Sequence, residues 1–151
     1  MEQSVKVLQS NINKQEKSLQ ATIDEYSQTY MILCLQEVPK KVSSLIGYES
    51  YPPNIHTYSK IFINKQLNLK VQYIPVHFDD WDDDKKEQVN DRFNLIYFPK
   101  YDTYILNSHF SAKKEGEEKN EHIKIFQSIV ERYKNKKLII CVDSNIHLPL
   151  Y

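Results

Sequence analysis

The sequence predicts an α/β fold with mixed, largely antiparallel sheets flanked by helices, and three observations carry that expectation. Met31-Ile32-Leu33-Cys34-Leu35 and Leu138-Ile139-Ile140-Cys141-Val142 are continuous apolar runs of strand length, the pattern of strands covered on both faces. Between them lie two strand-length segments, 93–98 and 104–110, which read as a strand pair joined by Pro99-Lys100-Tyr101-Asp102 as the turn. Residues 117–133 repeat apolar positions at Ile123, Phe126, Val130 and Tyr133 among charges, the stripe of an amphipathic helix.

The remaining elements follow in chain order. Val5, Val7 and Ile12 mark a first strand ending at Asn11-Ile12-Asn13. Asn13, with Glu16 three residues on, caps a helix whose Leu19, Ile23 and Tyr26 recur through 17–29. Residues 38–45 are expected to form a short helix, and Gly47 and Pro52-Pro53 mark turns. Ile61-Phe62-Ile63 and 67–76 read as a hairpin turning near Asn64-Lys65-Gln66. The six acids Asp79, Asp80, Asp82, Asp83, Asp84 and Glu87 surround Trp81 and are expected to form a solvated loop, since their spacing is not that of a calcium loop.

Composition bounds the function. With 151 residues, 40% apolar, a single domain over 1–151 is the expectation. Twenty basic and 20 acidic residues balance, so net charge does not announce a polyanion partner. Two glycines, Gly47 and Gly116, exclude a Gly-rich phosphate loop. Cys34 and Cys141 sit in apolar runs, the setting of buried thiols and not of a disulfide. The absence of a spanning apolar stretch or a signal-peptide core leads to the expectation of a soluble intracellular protein, cytoplasmic or nuclear.

The candidate chemistry lies at strand ends. Asn11, Glu37, His109, Asp143 and Asn145 all fall at or near the carboxyl ends of predicted strands, where α/β proteins assemble sites. A carboxylate and an amide oxygen suit a hard ion such as magnesium. Asp143 and Asn145, two residues apart, face one side, and His109 adds a proton carrier.

Four segments in order resemble the endonuclease/exonuclease/phosphatase superfamily: Ser10-Asn11-Ile12-Asn13, Ile32-Leu33-Cys34-Leu35-Gln36-Glu37, Asn107-Ser108-His109-Phe110 and 138–145. That resemblance implies a partial DNase I-like α/β/β/α sandwich and hydrolysis of a phosphodiester or phosphomonoester with Mg2+ or Mn2+. It implies that Glu37 ligates the metal with Asn11 in support. Asp143 would orient or deprotonate water, Asn145 would hold a phosphate oxygen, and His109 would bind the phosphate or assist the leaving oxygen. His109 tilts the likeness toward DNase-, sphingomyelinase- and deadenylase-like branches, whereas the first segment with Lys17-Ser18 and the end Asn145-Ile146-His147-Leu148-Pro149-Leu150 also look like retroelement endonucleases. Val142 stands where the family carries Gly, and the family's last Asp-His pair has no counterpart, so activity is expected to suffer and an apolar sheet face or edge to stay exposed. A homodimer or a partner chain would cover it. The substrate implied is a phosphoester, nucleic acid included. The alternative is a catalytically inactive descendant acting as a binding or interaction module.

Overall fold

The computed structural model describes residues 5–78, 80–110 and 117–143. Among the described residues eight strands and three α-helices follow one another as β1 Val7–Asn11, α1 Glu16–Tyr26, β2 Ile32–Gln36, β3 Tyr48–Tyr51, β4 Ser59–Asn64, β5 Gln72–Ile74, α2 Asp83–Arg92, β6 Phe93–Phe98, β7 Thr103–His109, α3 Glu117–Arg132 and β8 Lys137–Asp143. One sheet has the order β1-β2-β4-β3 and the other β5-β6-β7-β8. Only β1 with β2 and β7 with β8 pair in parallel, so both sheets are mixed and largely antiparallel, as the sequence predicts.

Strand alternation builds three layers of core between four layers of structure. Ile32, Cys34, Ile61 and Ile63 from the first sheet meet Ile96, Phe98, Ile105 and Cys141 from the second. The other face of the first sheet, Leu33, Leu35 and Phe62, packs on Leu19 of α1. The other face of the second, Leu95 and Leu106, packs on Val89 of α2 and on Ile125 and Ile129 of α3. β2 is buried along its whole length, which explains its unbroken apolar run. Cys34 and Cys141 are buried free thiols. Among the described residues no helix is long and apolar enough to cross a membrane.

Several elements differ from expectation. Residues 38–45 form turns and not a helix, and Asn13 does not cap α1: it lies in the left-handed region at φ 57°, and Gln15 takes the N-cap position with an extended backbone. The expected 61–76 hairpin is split, because β4 pairs with β2 and β3 while β5 pairs with β6 in the other sheet. The acidic run opens α2: the Asp82 side chain accepts from the Lys85 amide at 2.8 Å and Asp83 and Asp84 occupy the first turn, where the helix dipole favours negative charge. Asp79 lies outside the described residues. The α3 stripe centres on Ile125 and Ile129, with Val130 only half-buried. β8 is the open edge of its sheet among the described residues, with Ile139 and Ile140 about two-fifths exposed, 42% and 41%. An exposed apolar edge was the expectation; burial of this strand on both faces was not met.

Polar groups penetrate the sandwich at one end. Asn107, fully buried, accepts from Gln36 Nε2 at 2.6 Å and donates to the Leu35 and Lys60 carbonyls, both at 3.1 Å, and to Asn94 Oδ1 at 3.2 Å. One side chain thus ties its own strand β7 to β2, β4 and β6, joining both sheets. Replacing it by Ala strands buried amide and carbonyl groups, and we expect Asn107→Ala to lower unfolding free energy by about 3 kcal/mol in chemical denaturation. A loss under 1 kcal/mol would show the bridge to be dispensable.

Lys60 is buried with its ammonium donating to the Pro52 and Ile55 carbonyls, and burial lowers its pKa from 10.5 to about 8. Below pH 8 both folded and unfolded chains carry this proton, and the cost of burying the charge is present in full. As pH rises from about 8 toward 10.5 the native state sheds the proton first, so stability rises. Thermal unfolding followed between about pH 7 and 9 should show Tm rising with pH in the wild type and a flatter profile in Lys60→Met; parallel profiles would contradict this.

Candidate active site

The inter-sheet face of the strands changes from apolar to polar toward a single end. Along β2 the inward positions run Ile32, Cys34, Gln36; along β7, Ile105, Asn107, His109; along β8, Cys141, Asp143. The antiparallel β6 contributes Asn94 at its start. In-register pairing sets Asn11 beside Gln36 and His109 beside Asp143, so the carboxyl ends of β1, β2, β7 and β8 meet at one end of the sandwich.

There the predicted residues come together. Asn11 Nδ2 donates to Asp143 Oδ2 at 2.6 Å, a contact between sheets and across 132 residues of chain, while Asn11 Oδ1 accepts from the Asn13 amide at 2.8 Å. His109 Nε2 lies 3.8 Å from the same Asp143 oxygen, and the Phe110 amide donates to the Asp143 carbonyl at 2.9 Å. Glu37, half-buried one residue past β2, has φ 52° and its carbonyl accepts from the Lys14 amide at 2.7 Å. Asn13 and Lys14 are also left-handed, both at φ 57°. These three non-glycine residues, Glu37 among them, each cost on the order of 1–2 kcal/mol and are held there by the β1–β2 end contacts. Val142, expected to disturb the fourth segment, packs against the core under α3. Asn145 lies outside the described residues.

Two further side chains complete the site. Tyr58 stacks on the His109 ring with centroids 5.2 Å apart and planes at 27°, and its hydroxyl stands 3.5 Å from Glu37 Oε1. Its backbone is anchored at both polar groups, the amide donating to Asp91 Oδ1 at 2.6 Å and the carbonyl accepting from Val38 at 3.1 Å. Arg92, the last residue of α2, places Nη1 2.9 Å from His109 Nδ1 and its Cζ 4.7 Å from the Tyr58 centroid; Lys14 Nζ lies 4.9 Å from the same ring. Sequence reading missed Tyr58 because it precedes a strand in a turn-rich segment. It missed Arg92 because the acidic run 79–87 that opens α2 was expected to be loop; recognising Asp82 as a cap would have drawn the helix and put Arg92 at its end, two residues before the buried Asn94.

Charges are arranged unevenly around the histidine. Burial, and then the Arg92 guanidinium, hold the His109 pKa below its ordinary 6.5, while Asp143 and Glu37 pull it upward by less. Both carboxylates therefore act on one imidazole, as convergence of the two requires. Among the described residues no group of three or more His, Cys, Asp or Glu side chains is arranged to hold a metal ion. The Glu37 carboxylate with the Asn11 amide oxygen is a hard, all-oxygen set, which fits a magnesium-like ion that keeps most of its own waters.

The architecture has two mixed sheets packed face to face, helices outside and polar strand ends gathered at one rim, and it is shared with solved structures. Among solved structures the chain is similar to the endonuclease domain of TRAS1, a telomere-specific non-LTR retrotransposon, with a TM-score of 0.69 and 13% identity over 96% of this chain and 61% of that one. It is similar also to D. rerio TDP2 complexed with single strand DNA product, with a TM-score of 0.60 and 14% identity over 95% of this chain and 62% of that one. At such identities the likeness is one of fold. The chain spans about three fifths of the length of these structures. No protein-family model matches it. No curated protein matches it either.

Because Asp143 favours the charged imidazole, neutralising it should move the histidine further down. Imidazole resonances followed by NMR against pH should titrate below 6.5 in the wild type, and lower still in Asp143→Asn. An unchanged or raised value in the variant would contradict the placement of Asp143 beside His109.

Proposed function

We propose that the chain is a metal-dependent phosphoesterase of the nuclease type, with Asn11, Glu37, His109 and Asp143 forming its centre. The observation that supports this best is the meeting of all four at one rim, summed up by the 2.6 Å contact that joins Asn11 of the first sheet to Asp143 of the second. Asp143 is oriented by that amide and offers its carboxylate to a water as hydrogen-bond acceptor and base. His109, stacked on Tyr58, aims Nε2 into the same space and donates to a phosphoryl oxygen or to the departing one. A Mg2+ or Mn2+ ion held by Glu37 with Asn11 in support would supply charge stabilisation at the phosphoryl oxygens. Asn145, two residues beyond Asp143, is proposed as a further phosphate ligand from the family likeness.

A nucleic-acid phosphodiester is the proposed substrate class. One solved neighbour is an endonuclease domain and another holds a single-stranded DNA product, and the exposed Lys14 beside Tyr58 places a cation at the mouth of the site. The second reading, a non-catalytic interaction module, draws on the exposed Ile139 and Ile140 of the β8 edge.

Purified protein should cleave a labelled single-stranded or duplex oligonucleotide with Mg2+ or Mn2+ and stop when the metal is chelated. Glu37→Ala and Asp143→Ala should each lower the rate by about a hundredfold or more. Equal activity in wild type and both variants would assign the cleavage to a contaminant or another site, and absence of cleavage with either metal would favour the interaction module.

A further inference from the structure

We propose that Arg92 is a positioning residue that fixes the tautomer and the ring orientation of His109, so that the imidazole presents its N–H at Nε2 toward Asp143 and the bound phosphate. Its catalytic consequence rests on the phosphoesterase reading, whereas the tautomer itself rests only on the contacts.

The Arg92 contact sets the arrangement. A guanidinium carries only N–H donors and stays protonated, so the nitrogen 2.9 Å from it must offer a lone pair. That nitrogen is Nδ1, and the single proton of the neutral ring is then on Nε2. Nε2 in turn faces Asp143 Oδ2 at 3.8 Å, an acceptor and not a donor. The alternative tautomer would set a ring N–H against the guanidinium and a lone pair against a carboxylate, two repulsive contacts in place of two favourable ones.

Arg92 is itself held from three sides. Its Cζ lies over the Tyr58 ring at 4.7 Å, Nη2 is 4.0 Å from Glu118 of α3, and Nη1 is 3.5 Å from the His109 carbonyl. Tyr58 simultaneously stacks on the imidazole. The guanidinium and the phenol ring therefore grip the histidine at an edge and a face, and rotation about its χ2 would break both contacts. With the proton on Nε2, His109 is a donor to phosphate or leaving oxygen and cannot take the proton of the attacking water, which leaves that task to Asp143 among the described residues.

The test uses the full chain and nitrogen-15 spectra of the imidazole above its titration, in wild type, Arg92→Lys and Arg92→Met. Wild type should show a pyrrole-type Nε2 and a pyridine-type Nδ1. Arg92→Lys, which retains a donor, should preserve that pattern, and Arg92→Met should give a mixture or the reverse. With an oligonucleotide substrate and Mn2+, Arg92→Met should lower kcat by about ten- to a hundredfold with KM within about twofold, and Arg92→Lys should restore most of it. A wild-type ring protonated at Nδ1, or an Arg92→Met ring that keeps the wild-type pattern, would overturn the proposal. So would a raised KM with unchanged kcat, which is the behaviour of a direct phosphate ligand. Should the chain hydrolyse nothing, the spectra still decide, because they require no turnover.

Discussion

The structure depends on a buried amide pair, Gln36 of the first sheet and Asn107 of the second, joined at 2.6 Å. Apolar contact between two sheets is non-directional, and Ile32, Ile61, Ile96 and Ile105 would tolerate a range of sliding and rotation. Amide groups do not: each must meet its partner at hydrogen-bonding distance or lose several of them at once. Gln9 extends the chain of amides by donating to Gln36 Oε1 at 2.7 Å, and Asn94 ends it on the other side. The polar network thus converts a greasy interface into a unique alignment at the end where chemistry is expected.

The rim residues are placed by that network directly or through strand pairing. Glu37 follows Gln36, His109 lies two past Asn107, Asn11 pairs with Gln36, and Asp143 pairs with His109. The Asn11–Asp143 contact closes the two sheets beyond the amides, and Tyr58 and Arg92 close the opposite side through the histidine. Positive φ at Asn13, Lys14 and Glu37 is the local cost of turning two strand ends around the same point.

Much of this was legible in sequence because it rests on local periodicity. The apolar run before Glu37, the strand pair 93–98 and 104–110 with its turn, and the order of the four strand-end segments are visible without coordinates. What escaped depends on pairing over distance or on elements whose buried face is small. α2 has one fully buried residue, Val89, so its acids read as solvent before they read as cap and first turn. β4 and β5 are near in sequence and part to different sheets, a choice made by β2 and β6 and not by the intervening residues. β8 is apolar on both faces yet stands at an edge, and hydropathy alone does not separate those cases. Tyr58 and Arg92 act through geometry to a histidine that is 51 and 17 residues away in the chain, for which a single sequence holds no signal.

The proposal that the four strand ends share one ion is tested most directly by paramagnetic broadening with Mn2+ in amide NMR spectra of the intact chain. Resonances of Asn11, Glu37, His109 and Asp143 and their immediate neighbours should broaden together at low Mn2+, ahead of the rest of the protein. Broadening centred instead on the acids Asp80 to Glu87, or on one of the four segments without the other three, would contradict a shared centre.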